Sequence, residues 1–323
     1  MHYFTYDGQS SEELKVDDFH SIELTLAYFD WTDQPLNMVK DVNLGTINRY
    51  KPRANTMGSQ WSSVLTFDVT FIKSFCHHAQ EELIFTEDEV DCINTWLTSP
   101  DYPTLLHIYE ADEDAYLDDP VTYSNELYLK YDYVGLFSEV QPVFMGGGIM
   151  GLKATFTTNS PFAWTGEKSV EATCLPAGTN VTINVNSSEK YREIYPLIEI
   201  VGVSHAGSTG SREEITITNN NDISTTYQYV EGTGYTAIET PRSLTLQVPH
   251  TAIYIDTEKS MIYDIVSIMT NNVNHLLTFD DLGLSDLSYI YWPRLFNGTN
   301  SWTITGSCTI RITWREPRKV GAY

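Results

Sequence analysis

Basic residues are scarce in this sequence. Lys and Arg number 19 against 43 Asp and Glu, a formal net charge of -24 over 323 residues. A surface so poor in cations does not neutralise phosphates, so we expect no grip on nucleic-acid backbones or anionic membranes. The acidic excess serves solubility, and it also makes a surface that nucleic acid slides past without sticking. Cysteine is sparse as well. Cys76, Cys92, Cys174 and Cys308 contain no C-x-x-C pair and fit no zinc spacing. We expect four buried free thiols of the kind made in a reducing cytosol. No apolar run reaches the length needed to span a bilayer. The opening stretch MHYFTYDGQSSEEL has neither a basic n-region nor an apolar h-region, so no secretion signal is expected. The N-x-S/T triplets at Asn180, Asn186 and Asn297 are then chance matches.

Catalytic motifs are missing too. MGGGIMGLK, residues 145–153, places Gly146 and Gly151 at P-loop spacing, but Leu152 stands where Lys is needed. It reads as a flexible connector between strands. Cys76, His77 and His78 are adjacent, point in different directions as neighbours in a chain do, and have no third ligand placed by the sequence. The acidic EADEDAYLDDP, residues 110–120, has no EF-hand spacing and reads as a solvated loop. Neither H-E-x-x-H nor G-x-S-x-G occurs. Two carboxylates brought together from distant strands leave no local trace, so a glycoside-active enzyme stays as a third alternative. We expect no enzyme, no metal and no cofactor.

What the sequence has is sheet-forming material. Hydrophobic residues make up 41% and aromatics 13%, with 21 Tyr, a mix that packs well on pleated surfaces. The length suits two domains. In the first part, Ile22, Leu24 and Leu26 share one face of a strand, and Leu65, Phe67, Val69 and Phe71 one face of another. Between them NLGTINRYKPRANTMGSQWS, residues 43–62, is polar and basic and too long for an idle loop. It reads as a hairpin or arm that packs on something else. One helix is marked by the capping box Thr86-x-x-Glu89, by acidic residues in its first turn, by Val90, Ile93 and Leu97 on one face with Trp96 beside them, and by Pro100 after it.

The second part begins near Pro161. Short alternating segments follow at Val181–Val185, Ile215–Ile217, Leu244–Val248 and Ile253–Ile255. In the last segment Cys308, Ile310, Ile312 and Trp314 face one way, and Thr309, Arg311, Thr313 and Arg315 the other. This spacing indicates a β-sandwich. Before that segment, YWPRLFNGTNSWTITG, residues 291–306, crowds Pro293, Asn297-Gly298 and Asn300 into one connector, which is strong turn chemistry. Trp164, Tyr227, Tyr229 and Tyr235 are candidates for stacking on sugar rings, although rings in such a fold are more often core. A stand-alone glycan-binding module is therefore the alternative function.

Taken together, these segments resemble the distal tail protein family of long-tailed, non-contractile bacteriophages. GTINRYKPRANTMGSQWSSVLTFDVTFIK is similar to the family's N-terminal arm and the strand after it, here ending at Lys73. The capped helix with INTWLTSPDYPTLLHIYE, and TFTTNSPFAW with Ser160-Pro161 before an aromatic, follow in the family's order. So do YPLIEIVG, ITITNNN, TAIYIDTEKSMIY with its Ile255-Asp256 pair, and the closing YIYWPRLFNGTNSWTITGSCTIRITWRE.

The resemblance implies a mainly β chain. Residues 1–162 would be a ring-forming β-sandwich with one α-helix and a long β-hairpin arm at about 43–62. Residues 163–323 would be a galectin-like β-sandwich. It further implies a virion structural protein at the tail tip, made in the host bacterial cytoplasm. Six copies would form a ring joining the tail tube protein to the tail-associated hub protein, and in many phages carrying receptor-binding protein. DNA would pass through without specific binding, and no membrane is involved. The arm would embrace the neighbouring subunit through Arg49, Lys51, Arg53, Met57 and Trp61. Its cations suit an acidic neighbouring face.

Overall fold

The computed structural model describes residues 2–28, 40–44, 56–61, 64–74, 83–110, 128–201, 212–248, 252–268, 271–285 and 289–319, and every statement below concerns those residues. The chain divides into two compact units, Met1–Gly166 with Pro317–Tyr323, and Glu167–Glu316. Residues 163–166 and the segment from Pro317, expected in the second domain, group with the first. The reason is strand pairing: Ala163–Trp164 joins Asp132 on one side and Pro317–Arg318 on the other.

The frame of the first unit is an antiparallel sheet. Its spatial order is Gln9–Ser10, His2–Tyr6, Thr104–Glu110, Tyr128–Met145, Gly148–Thr158, Thr66–Lys73, Leu24–Tyr28. Alternation decides the faces. Phe67, Val69 and Phe71 are buried, while Thr66, Asp68 and Thr70 between them are not. Phe4 stacks on Phe71 at 4.9 Å although their strands are not neighbours in the sheet, and Tyr6 meets Phe137 edge-on at 5.0 Å. One continuous sheet therefore folds over and supplies both layers of the sandwich. The expected glycine connector is a tight two-residue turn. Gly146 and Gly147 both have positive φ, 62° and 90°, between paired Met145 and Gly148, which a right-twisted hairpin favours.

The α-helix spans Glu87–Thr98, and both halves of its capping box form. Thr86 Oγ1 accepts from the Glu89 amide at 3.3 Å, and the Glu89 carboxylate accepts from the Thr86 amide at 2.7 Å. Glu89 is buried, and so is the Lys73 ammonium 2.8 Å from it, which also donates to the Ile84 carbonyl at 3.0 Å. Burial pushes the Glu89 carboxyl up, but hydrogen bonds from Lys73, the Thr86 amide and His20 outweigh it and hold the group below its ordinary value. On the inner face, Ile93, Trp96 and Leu97 are buried, and the Trp96 indole donates to the Tyr6 carbonyl at 3.0 Å.

The second unit is two antiparallel sheets. One runs Lys168–Cys174, Cys308–Trp314, Leu197–Val201, Ile253–Asp256, Met261–Ile268, Asn271–Leu276, and the other Thr179–Val185, Gly298–Thr305, Glu213–Val230, Gly234–Val248. Trp302, Ile304, Ile310 and Ile312 are fully buried in a core shared with Ile198, Ile255 and Val248. The crowded connector is explained by Asn300. Its Oδ1 accepts from the Phe296 amide at 2.8 Å, and its Nδ2 donates to the Phe296 carbonyl at 2.7 Å and the Gly298 carbonyl at 3.3 Å. Asn297 Oδ1 accepts from the Ser187 amide at 2.9 Å. The first Asn thus ties the connector to a neighbouring segment, and the second closes the turn on itself.

Gly306 carries the tight turn between the last two long strands. Its φ is 116°, and a Cβ there would sit 2.3 Å from Ile215 Cδ1 and 2.8 Å from the Glu214 carbonyl oxygen. Gly298 has a similar φ of 103° with nothing within 4 Å. We expect Gly306→Ala to destabilise the second unit by about 2–4 kcal/mol, from backbone strain plus overpacking, and Gly298→Ala by about 1–2 kcal/mol from strain alone. Urea unfolding of the two variants checks this; equal losses would remove the steric part of the account.

Candidate functional site

The site expected from the sequence is the arm. Its base is a two-stranded antiparallel hairpin, Lys40–Leu44 against Thr56–Trp61, paired Lys40 to Trp61 and Leu44 to Thr56. Among the described residues this hairpin joins no other strand, and two strands alone are marginal in water. Asp41, Val42 and Asn43 on its first strand are exposed. Of the expected contact residues, Arg49, Lys51 and Arg53 lie outside the described residues, as does the side chain of Met57, whose backbone belongs to the second strand. Trp61 is half-buried against its own unit: its ring meets Phe162 edge-on at 5.2 Å, and Lys319 Nζ lies 5.1 Å from its centroid. It anchors the base of the arm to the sandwich.

A second surface was only partly legible. The hairpin of Glu213–Val230 and Gly234–Val248 is buried in its first half, at Ile215, Ile217, Leu244, Leu246 and Val248. Its neighbour Gly298–Thr305 pairs with this hairpin only along Thr216–Asn219. The register then shifts between Asn219 and Ile223, and from Ile223 to Thr240 no residue is buried. The two faces of this free ribbon differ. Ile223, Thr225, Tyr227 and Tyr229 lie on one face opposite Pro241, Glu239, Ala237 and Tyr235; the other face is mostly Ser, Thr and Gln. Tyr227, Tyr229 and Tyr235 are 71%, 64% and 77% exposed, so the reading of these rings as core is wrong. Tyr229 and Tyr235 touch edge-on at 5.5 Å. Trp164 belongs to the first unit.

Where the ribbon leaves its sheet, a buried polar network holds the bend. Asp222 accepts from Tyr291 Oη at 2.9 Å and from Arg294 Nε at 2.7 Å and Nη2 at 3.3 Å; Arg242 lies at 3.6 Å. Asn219 donates to Tyr291 Oη at 3.1 Å and to the Arg294 carbonyl at 2.7 Å. Burial pushes the Asp222 carboxyl up, but the hydrogen bonds from Arg294 and Tyr291 and the two guanidinium charges outweigh it and hold it below its ordinary value. Burial and the same carboxylate push the Tyr291 phenol well up. Beside this network is an open recess of about 320 Å³, lined by Tyr195, Arg242, Glu258, Tyr289, Trp292 and Arg294 among others. No sequence pattern pointed to it, because its lining comes from four separate stretches of chain.

Among the described residues no group of three or more His, Cys, Asp and Glu is placed to hold a metal ion, and no helix is long and apolar enough to cross a membrane. Cys76, His77, His78 and most of the acidic loop lie outside the described residues. Cys174 and Cys308 are buried free thiols, but Cys92, expected buried, is half-exposed and donates to the Lys15 carbonyl at 3.4 Å.

Residues 1–160 match the family described as phage tail protein N-terminal domain. A search of curated proteins finds no match. Among solved structures, the fold is similar to that of SPP1 Dit (gp 19.1), described as a paradigm of the hub adsorption apparatus in phages infecting Gram-positive hosts. Identity is 13%, the TM-score 0.52, and the match covers 98% of this chain and 99% of that one. The phage P2 baseplate in its activated conformation with Ca contains a chain at 9% identity and TM-score 0.49, with 99% of each chain covered.

Proposed function

We propose that this chain, whose first 160 residues match a phage tail protein N-terminal domain and whose whole length has the fold of a siphophage distal tail protein, builds the adaptor ring at the tip of a long non-contractile tail. The match over the first 160 residues carries the reading. In it the protein is structural rather than enzymatic. Six copies close a ring in the virion, one face meeting the tail tube protein and the other the tail-associated hub protein, with receptor-binding protein outside. Two features support assembly. The arm is a hairpin with no partner strand of its own among the described residues, and the ribbon in the second unit presents a tyrosine face of the kind enriched at interfaces. The net charge of -24 suits a channel through which DNA moves without sticking.

A second reading, a stand-alone glycan-binding module, draws on the recess with Tyr195, Tyr289 and Trp292 in its wall. Quaternary structure separates the two. We expect light-scattering mass in solution to give six times the 36.7 kDa chain mass, and negative-stain images to show rings. A monomer at every concentration tried, together with reproducible binding on a saccharide array, would replace the first reading with the second.

A further inference from the structure

Cys174 and Cys308 lie directly opposite each other. Cys174 ends the strand Lys168–Cys174, Cys308 begins the strand Cys308–Trp314, and the two are register partners in an antiparallel ladder that starts at Lys168 and Trp314. Both side chains point to the interior and both are buried. Residues so opposed have Cα atoms about 4.5–5.5 Å apart, inside the roughly 4.4–6.8 Å that a disulfide spans. The Cys174 thiol donates to the Ala172 carbonyl of its own strand at 3.8 Å. Nothing similar occurs elsewhere among the described residues: Cys92 faces the Lys15 carbonyl. A buried cysteine is ordinarily a small apolar filler, but filling does not require two of them in register.

We propose that Cys174 and Cys308 are a cross-link site, which a low-molecular-weight disulfide converts into one intrachain disulfide that clamps the second unit shut. The exchange balances in two steps. Cys174 attacks a sulfur of the small disulfide as a thiolate, forming a mixed disulfide and releasing one small thiol. Cys308 then gives up its proton, attacks the Cys174 sulfur and releases the second. Two protein thiols are oxidised and one small disulfide is reduced to two thiols. Cys174 is the group suited to begin, because the neighbouring Cys308 thiol favours its thiolate. Both thiols are buried, so the exchange proceeds through local opening at the end of the ladder, where Cys174 and Cys308 are terminal strand residues.

The position gives the cross-link a mechanical consequence. The chain enters this unit at Glu167 and leaves it at Glu316. Its incoming and outgoing strands are the two that the bond joins, at the end of the ladder away from Lys168 and Trp314. Tension applied through the chain peels that ladder from Lys168 and Trp314 inward and stops at the bond. Residues 175–307 then lie in a closed loop that carries no load.

The test uses the full chain, folded, incubated with cystamine. We expect intact mass to fall by two hydrogen atoms, and alkylation followed by peptide mapping to find Cys174 joined to Cys308. The Cys308→Ser variant should show no such bond. Pulled from its termini in a single-molecule instrument, the oxidised chain should reach full extension shorter than the reduced one by about 450 Å, the length of the closed loop. Both thiols remaining open to alkylation in unfolded samples taken after treatment would overturn the proposal. So would a bond mapped to Cys76 or Cys92 or to a second chain, or equal extension of the two forms.

Discussion

Replacing residues 46–60 with a short Gly-Asn turn should leave a folded monomer that no longer closes into the proposed rings. The argument is one of offsets. Ordering backbone costs roughly 1–2 kcal/mol per residue, and the hairpin base at Lys40–Leu44 and Thr56–Trp61 has no third strand among the described residues to repay it. A neighbouring copy supplies the missing contact in the proposed ring, through Met57 and the stems of Arg49, Lys51 and Arg53. A specific interface needs about 1,000 Å² or more, which a clasping arm can provide. The replacement spares Trp61, whose contacts with Phe162 and Lys319 belong to the first unit itself, so the sandwich should melt as before. Sedimentation and negative stain read the result. Rings at the same concentration as the full chain would mean that the arm is not the clasp.

The parts of this fold that were legible in the sequence are those whose causes are local. The capping box at Thr86 and Glu89 announces the helix because both partners lie within one turn. Phe67, Val69 and Phe71 announce a strand because burial repeats at every second residue. What was missed depends on residues far apart in the chain. Glu89 reads as a helix cap but also meets buried Lys73 from another element. Nothing local in the sequence marks Asp222, which anchors Tyr291 and Arg294 about seventy residues on. The ribbon was seen only where burial imposes alternation, at Ile215, Ile217 and Leu244–Val248; its exposed half has tyrosines on one face, which resemble core until the partner strand is known. The Cys174–Cys308 opposition is a matter of register, and register is set by the whole sandwich. For the proposed assembly site, the sequence pointed to the arm, and three of its expected contact residues, Arg49, Lys51 and Arg53, lie outside the described residues.

Asp222→Ala should be the most damaging single polar substitution in the second unit. The carboxylate is buried, takes a bidentate contact from Arg294 and a hydrogen bond from Tyr291, and has Arg242 nearby. Removing one member of a buried pair costs about 3–5 kcal/mol, because the partner charge is left desolvated. Arg294 retains Glu193 at 3.1 Å, which places the loss near the lower end. At about 3 kcal/mol the melting temperature of the second unit falls by roughly 6 °C or more, while the first unit, with its separate core, is unaffected. The pH dependence gives an independent check. The folded carboxyl titrates below its ordinary value, so its contribution is full above the unfolded value, near about 4. That contribution is lost as pH falls through the folded value. Melts of the natural chain and the variant should therefore differ widely at neutral pH and converge as pH falls below the carboxylate range. A variant that melts within a degree of the natural chain at neutral pH, or a gap that stays constant down to the acid limit, would show that this network does not hold the bend where the ribbon leaves its sheet.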